Sequence, residues 1–484
     1  MDTTHMTLAE LQRLLHAREL SAKDLLSEHM MRIDNVDGDV KAFLRTTPQL
    51  AAEQAAAADR ALKSGDAGPL AGIPLAVKDV LCVEGVETTA GSQILRGFKP
   101  PYTGTAVKRL FEAGAVMIGV TNCDEFAMGS STENSSYFPT HNPWDLDRVP
   151  GGSSGGSASA VAAGEAVVSL GTDTGGSIRQ PAALCGVVGM KPTYGRVSRY
   201  GLIAFASSLD QIGPFARSVE DCAILLEAMA GHDPLDATSA DRPNDVRRDF
   251  DGGVKGLRLG LPREYHEVEG IEPGVKAAID RALDALQKAG AEVVDVSLPH
   301  TDYGLAAYYI IAPAECSSNL ARFDGVRYGM SDQDAANVTD AYLQTRRKGF
   351  GTEVRRRVML GTYALSSGYY DAYYLKAQKV RTLIKRDFDS AFEKCDAIVS
   401  ATSPTVAFPI GSKTKDPLAM YLCDVLTLGG NLAGLPGISV PCGLSENLPV
   451  GLQVLAPQWR EDVALRVARA YEVASGVKVE VAPL

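Results

Sequence analysis

Lys78 lies inside the largely apolar run IPLAVKDV at residues 73–80. A short apolar run of this kind predicts a buried β-strand. Burial disfavours the charged form of lysine, so a lysine on such a strand must be neutral or paired. The fold therefore has to bring polar groups from elsewhere in the chain to Lys78, unless its side chain reaches solvent at the end of the strand.

Two glycine-serine clusters, GGSSGGS at residues 151–157 and DTGGS at residues 173–177, are the candidates for those polar groups. A neutral lysine beside serine hydroxyls is a base beside nucleophiles, and this pair can open an amide bond without histidine, cysteine or metal. Each cluster alone also fits a flexible loop or an ordinary glycine-rich turn. The interpretation becomes specific only when the lysine and both clusters are considered together.

The second cluster follows a strand-like run at residues 167–171 and precedes a helix that can begin at residue 178. A strand–turn–helix unit points free backbone N–H groups at whatever lies over the turn, and glycine permits close approach. If Ser177 attacks a carbonyl carbon there, these N–H groups are placed to hold the developing oxyanion.

The first cluster also matches the Gly-x-Ser-x-Gly nucleophile elbow of α/β-hydrolases, through Gly151, Ser153 and Gly155. That motif requires a core strand before it and a histidine late in the chain. Residues 141–150 do not have the composition of a core strand, and the last histidine is His300, with 184 residues still to follow. The sequence therefore disfavours this alternative.

Short apolar strands alternate with helices from about Gly72 onward, which predicts an α/β domain whose largely parallel sheet carries helices on both faces. Helices are expected before this point, after Thr7 and after Ser21, and the region 308–384 is expected to be mostly helical. The other predicted helices span 51–63, 105–113, 157–163, 273–289 and 461–474. The predicted strands span 73–80, 115–120, 167–170, 257–261, 291–296, 397–400, 437–441 and 450–455.

The overall charge and the cysteines exclude several classes of function. The 48 Lys and Arg against 59 Asp and Glu give a net charge of −11, which disfavours direct binding of nucleic acid. The eight scattered cysteines form no C-x-x-C pair, so we expect free, buried thiols and no zinc site. With no signal peptide and no apolar run of roughly 18 residues, a cytoplasmic location is expected.

Residues 151–191, together with GIPLAVKD at residues 72–79, resemble the signature of the amidase-signature family. The resemblance implies one large domain over residues 1–484, with an N-terminal helical arm (1–65), a signature core (70–215) and a remainder (216–484) around a mixed, mostly parallel sheet. It implies that Ser177 is the nucleophile, that Ser153 is a bridging serine in a cis peptide and that Lys78 is the base. The implied oxyanion hole consists of the N–H groups of Thr174, Gly175, Gly176 and Ser177.

Further stretches at residues 121–134, 308–328, 358–374 and 431–443 resemble the glutamine-hydrolysing branch of this family, which serves tRNA-dependent amidotransferases. The resemblance implies that Arg357 binds the α-carboxylate of glutamine and Asp424 its α-amino group. It also places Ser130 and Tyr308 in the pocket. Without the resemblance, Arg357 fits a solvated charge in a basic triplet that contains Arg356, and Asp424 fits a helix cap, so only the resemblance assigns them to the pocket.

This branch implies that the chain supplies ammonia to a B subunit, which uses ATP and Mg²⁺ to amidate Glu-tRNA(Gln), Asp-tRNA(Asn) or both. A small C subunit would complete a heterotrimer. No cofactor, metal or membrane partner is expected for the chain itself. Two alternatives stay open at this point, a free-standing amidase for another small amide and a catalytically silent scaffold protein.

Overall fold

The computed structural model describes residues 2–484, which form one continuous eleven-stranded sheet covered by helices. The strand order across the sheet is 1-3-2-4-6-5-10-11-9-7-8. In chain order the strands are Phe43–Thr46 (β1), Pro74–Lys78 (β2), Val116–Thr121 (β3), Val168–Asp173 (β4), Val188–Lys191 (β5), Gln211–Ala216 (β6), Arg258–Pro262 (β7), Glu292–Val296 (β8), Ala397–Ala401 (β9), Gly437–Ser445 (β10) and Leu448–Leu455 (β11).

Sixteen α-helices are found within residues 2–484. They are Leu8–Ala17 (α1), Ala22–Val40 (α2), Pro48–Ser64 (α3), Thr105–Glu112 (α4), Gly155–Ala162 (α5), Arg179–Cys185 (α6), Val219–Met229 (α7), Arg263–His266 (α8), Pro273–Lys288 (α9), Gly304–Asn319 (α10), Val338–Gly349 (α11), Thr352–Leu365 (α12), Lys376–Phe392 (α13), Pro417–Tyr421 (α14), Leu428–Leu432 (α15) and Glu461–Ser475 (α16).

The predicted α/β class and the mixed central sheet are confirmed, and the structure shows how the two strand directions are distributed. Parallel pairing joins β3, β2 and β4 in one block and β9, β7 and β8 in another. The six remaining pairings, including all those in the middle of the sheet, are antiparallel. The candidate lysine strand β2 lies inside the first parallel block, where both of its neighbours shield it from solvent.

Helices cover both faces of the sheet. Helix α6 packs over β10 and β11 from one side, where a Cβ on Gly451 would lie 2.5 Å from the Cβ of Ala183. Helices α9 and α16 pack against the same part of the sheet from the other side. Helix α6, which follows the second glycine-serine cluster, is therefore packed against the sheet.

Local sequence accounts for the ends of the first helices. Thr7 caps α1 in a full capping box with Glu10, and the Ser21 side chain accepts a hydrogen bond from the Asp24 N–H at the start of α2. All eight cysteines are buried and free, as predicted. None of the helices formed by residues 2–484 combines the length and the apolar composition that a bilayer crossing requires.

Candidate active site

Strand β2 ends at Lys78, whose side chain is fully buried. Its Nζ lies 2.8 Å from Ser153 Oγ, 2.8 Å from Ser154 Oγ and 2.9 Å from Thr172 Oγ1. These three contacts are all hydroxyl groups, which accept a hydrogen bond from an amine but do not neutralise its charge. The predicted meeting of Lys78 with the first glycine-serine cluster is therefore present in the structure.

The surroundings of Lys78 make its neutral form more accessible than that of an ordinary lysine. Burial lowers the pKa of Lys78 to about 8, although the carboxylates of Asp124 and Asp173 act in the opposite direction. The hydroxyl of Ser154 donates to the Thr172 carbonyl at 3.0 Å, so it can only accept from the amine. The Ser153 hydroxyl is not committed in this way, and a neutral Lys78 can accept its proton.

The backbone around Ser153 is closely packed. The peptide bond between Gly152 and Ser153 is cis, as the family resemblance predicted. A Cβ on Gly152 would lie 2.3 Å from Asp124 Oδ2 and 2.6 Å from the Ser131 nitrogen, so only glycine fits at this position. The loop that contains Asp124 and Ser131 therefore packs directly against the Gly152–Ser153 peptide.

Ser177 lies in the turn between β4 and α6, as the strand–turn–helix pattern predicted. The Ser154 N–H donates to the Ser177 carbonyl at 3.3 Å, which joins the two glycine-serine clusters. With 8% of its surface exposed, Ser177 is the only one of Lys78, Ser153 and Ser177 that solvent reaches. Within residues 2–484 no protein group forms a hydrogen bond with its hydroxyl, so the structure leaves Ser177 Oγ open to a substrate.

The backbone N–H groups of this turn fall into two sets. The Gly176 N–H donates to Asp173 Oδ1 at 2.8 Å and is therefore not available to an oxyanion, contrary to the expectation that included it. The N–H groups of Thr174, Gly175 and Ser177 have no acceptor among the described residues. These three are the donors that remain for a developing negative charge over the turn.

A buried hydrogen-bond network around Asp173, which the sequence did not indicate, supports the turn that carries Ser177. Asp173 accepts hydrogen bonds from Gly176 N–H and, at 3.2 Å, from Ile178 N–H, and it forms an ion pair with Arg179 at 3.0 Å. Burial would raise the pKa of Asp173, but Arg179 and the Asn431 amide lower it to about 2. A permanently charged carboxylate therefore fixes the dihedral angles of the turn that carries Ser177.

Arg357 is the buried member of the basic triplet. Its side chain is 3% exposed and its Nε donates to Glu353 Oε1 at 2.8 Å, whereas the Arg356 side chain is 40% exposed. Both arginines line a cavity of about 110 Å³ together with Glu353 and Tyr421, so the burial of the two side chains is what separates them. Of the two arginines that the sequence left open, only Arg357 is buried, and it stays the candidate for binding a carboxylate.

Asp424 is buried close to this arginine, and it is not a helix cap. The Ser130 hydroxyl donates to its Oδ2, while its Oδ1 has no hydrogen-bond partner among the described residues. Burial raises the pKa of Asp424 to about 7, although the Ser130 hydrogen bond and the charge of Arg357 lower it. An unpaired, buried carboxylate oxygen is suited to receive a cationic group.

Three contacts connect these pocket residues to the Ser177 turn. A Cβ on Gly175 would lie 2.9 Å from the Tyr308 hydroxyl, so Tyr308 lies directly over the turn. The Thr427 hydroxyl lies 2.6 Å from the Gly175 carbonyl and 2.9 Å from the carbonyl of Asp424. Tyr308 and Asp424, which the glutamine-hydrolysing branch predicts, are therefore next to the turn that the signature predicts.

Gln180 forms a further connection that sequence reasoning missed. Its side-chain amide donates to the Ser130 carbonyl at 3.0 Å, and its oxygen accepts from the Gly152 N–H at 3.0 Å. The only sequence feature that could have indicated Gln180 is its position about one helical turn after Ser177. Among residues 2–484 no three side chains of His, Cys, Asp or Glu are arranged to hold a metal ion.

Comparisons with known proteins agree with this geometry. The pattern of the family described as Amidase matches residues 24–465. A protein from Moorella thermoacetica, named as the A subunit of glutamyl-tRNA(Gln) amidotransferase, is 60% identical over 474 residues, which cover 98% of this chain and 97% of that protein. A protein of the same name from Chloroflexus aurantiacus is 60% identical over 97% of this chain and 96% of its own length.

Two solved structures extend the comparison. The structure of the A subunit of glutamyl-tRNA(Gln) amidotransferase from Thermotoga maritima has a TM-score of 0.82 and 45% identity, and covers 100% of this chain and 98% of its own. A peptide amidase from Stenotrophomonas maltophilia has a TM-score of 0.84 and 33% identity over 98% of this chain and 97% of its own.

Proposed function

Because this chain belongs to the amidase family, we propose that it hydrolyses the side-chain amide of glutamine as the A subunit of a tRNA-dependent amidotransferase. The observation that carries the proposal is the pair of buried side chains of opposite charge, Arg357 and Asp424, of which Asp424 is joined to the Ser177 turn through Thr427. Free glutamine is a zwitterion, and its carboxylate and ammonium groups complement this pair.

The first chemical step uses the residues around Lys78. Neutral Lys78 accepts the Ser153 proton while Ser153 accepts the proton of Ser177, whose oxygen attacks the amide carbon. The 2.8 Å contact between Lys78 and Ser153 supports this relay. The N–H groups of Thr174, Gly175 and Ser177 would stabilise the tetrahedral oxyanion, each contributing about 2.7–4 kcal/mol.

The second step releases the product. The protonated Lys78 returns its proton through Ser153 to the leaving nitrogen, so that ammonia departs and an ester joins the substrate to Ser177. Water, deprotonated by the same relay, then hydrolyses this ester to glutamate and restores the free serine. The relay ends in its starting protonation state, which supports repeated turnover without a cofactor in this chain.

The relatives are named as the A subunit of an amidotransferase, which supports further subunits in the complex. We propose that ammonia passes to a B subunit that binds ATP, Mg²⁺ and Glu-tRNA(Gln), and that a C subunit completes a heterotrimer. The net charge of −11 supports an arrangement in which another protein of the complex holds the tRNA. Asp-tRNA(Asn) is the second acceptor to test, and a cytoplasmic location suits this role in protein synthesis.

The test is a glutamine-dependent transamidation assay on the chain co-expressed with candidate B and C subunits. We expect formation of Gln-tRNA(Gln) that stops when Ser177 is replaced by alanine and resumes when ammonium chloride replaces glutamine. A chain that hydrolyses many amides, and whose glutamine use does not respond to partners and misacylated tRNA, would instead be a free-standing amidase. Glutamine-dependent activity in the Ser177→Ala complex would exclude the proposed nucleophile.

A further inference from the structure

The guanidinium of Arg357 is enclosed on every side but one. Aromatic rings lie near it at 5.1 Å (Tyr309), 5.5 Å (Tyr421) and 5.6 Å (Phe205), measured from Cζ to the ring centroids. Its Nε edge is occupied by Glu353 at 2.8 Å. The terminal nitrogens Nη1 and Nη2 have no acceptor among residues 2–484, and this free edge has the geometry that binds a carboxylate through two hydrogen bonds.

Glu353 determines which edge of Arg357 stays free. Its Oε1 accepts from Arg357 Nε and from the Tyr421 hydroxyl, each at 2.8 Å, and its Oε2 accepts from Arg356. Burial would raise the pKa of Glu353, but the charge and hydrogen bond of Arg357 lower it, so this carboxylate stays ionised. Four residues apart on α12, Glu353 and Arg357 form a rigid pair.

We propose that Glu353 is a positioning residue: it orients Arg357 so that the two-nitrogen edge faces the substrate, and thereby selects amides that carry a free α-carboxylate. This inference rests on the proposed function, because it concerns the residue behind the proposed glutamine anchor. Glu353 itself does not touch the substrate in this scheme. Its Oε1 is already shared between Arg357 and Tyr421.

Two substitutions separate orientation from charge. Glu353→Gln keeps an oxygen that can accept from Arg357 Nε and from Tyr421, but it removes the negative charge. Glu353→Ala removes both the oxygen and the charge. If Glu353 acts by orientation, glutamine therefore binds normally to the Gln variant and poorly to the Ala variant.

The readout is the discrimination between glutamine and 4-aminobutanamide, which keeps the amide and the ammonium group and lacks only the carboxylate. In the complete complex, we expect Glu353→Ala to lower kcat/KM for glutamine about 10- to 100-fold, mainly through KM, since small misplacements have effects of this size. The value for 4-aminobutanamide should stay within about twofold. Glu353→Gln should keep the discrimination within about threefold of the original protein.

Arg356→Met is the matched control, because it removes the exposed partner of Glu353 and leaves Arg357 in place. It should leave the discrimination unchanged within about twofold. Equal loss on both substrates in Glu353→Ala, or a Gln variant as impaired as the Ala variant, would overturn the positioning role. Arg357→Met separates this result from the proposed function: if it leaves the discrimination intact, the glutamine pocket itself is misassigned.

Discussion

Lys78 Nζ lies 2.8 Å from Ser153 Oγ, and its two other hydrogen-bond partners in the described chain are also hydroxyl groups. A carboxylate in contact with the amine would hold it protonated, whereas hydroxyl groups leave burial as the dominant influence on its pKa. This arrangement lets a lysine act as a base near neutral pH. It also makes the roles of the neighbouring serines separable by experiment.

Ser153 and Ser154 lie at equal distances from Lys78 but should differ in importance. Ser153→Ala removes the hydroxyl through which the proton moves, and we expect glutaminase kcat to fall roughly 10²- to 10⁴-fold. Ser154→Ala removes a hydroxyl whose proton is already donated to the Thr172 carbonyl. We expect a loss of less than about tenfold for this variant, measured as glutamate release by the assembled complex.

Transamidation with ammonium chloride is the control for both serine variants, because it bypasses glutamine hydrolysis. It should proceed at the original rate if the complex is folded. Equal losses of glutaminase activity in the two variants would contradict the different hydrogen-bonding roles assigned to Ser153 and Ser154.

The pH dependence of kcat should report Lys78. Its pKa is lowered to about 8, and only the neutral amine can accept a proton. The rate is therefore low where the amine is protonated and rises as the pH increases through about 8, roughly tenfold per unit on the acidic side. Measurement of kcat from pH 6 to 9.5 at saturating glutamine tests this, and a plateau already reached at pH 6.5 would exclude Lys78 as the base.

Much of the fold was predictable from local patterns, because the strands near the site are apolar runs bounded by glycine. The strand that ends at Lys78 and the strand–turn–helix unit around Ser177 both appear where the sequence predicts them. Strands β1, β5 and β6 were not predicted. In β1, Arg45 and Thr46 make the segment look like part of the helical arm. Strand β1 forms by pairing with β3, which is distant in the sequence, so local patterns do not indicate it.

The hydrogen-bond network around Asp173, which supports the Ser177 turn, was harder to predict from the sequence. Asp173 and Arg179 are only six residues apart, but their partner Asn431 lies more than 250 residues downstream. Spacing could not choose between Arg356 and Arg357 either, because positions three and four residues after Glu353 both reach it on a helix. The choice depends on the aromatic rings of Tyr309 and Tyr421, which come from other elements.

Asp424 should make glutamine binding depend on pH. Its pKa is raised to about 7, and only its charged form attracts the ammonium group of the substrate. As the pH falls below about 7, the carboxylate of the free enzyme is protonated and the KM for glutamine should rise up to tenfold per unit. In Asp424→Asn the KM should be high and nearly independent of pH between 5.5 and 7.5.

The two titrations can be told apart. Binding of the ammonium group stabilises the charged form of Asp424. The titration of Asp424 should therefore affect KM and leave unchanged the rise of kcat with pH that reports Lys78. A KM in Asp424→Asn that still rises at low pH would show that another group controls binding.

Removal of either partner of the Asp173–Arg179 ion pair should strongly destabilise the fold, because both side chains are fully buried and the remaining charge would be unpaired. Asp173→Asn leaves a buried guanidinium without its counter-charge, and we expect the free energy of unfolding to fall by about 3–5 kcal/mol. Arg179→Met should have a similar effect on the remaining carboxylate. The pKa of Asp173 is lowered to about 2 from an ordinary value of 3.8, so its contribution is complete above about pH 4 and is lost as the pH falls through 2.

The double variant Asp173→Asn/Arg179→Met distinguishes an ion pair from two independent structural roles. Because neither unpaired charge is left, its loss of stability in urea unfolding should be smaller than the sum of the two single losses by about 2 kcal/mol or more. Glutaminase activity should stay low in all three variants. Asp173 accepts hydrogen bonds from the Gly176 and Ile178 N–H groups, and each variant loses either this carboxylate or its partner Arg179. Strictly additive losses of stability would mean that Asp173 supports the turn through its backbone contacts alone.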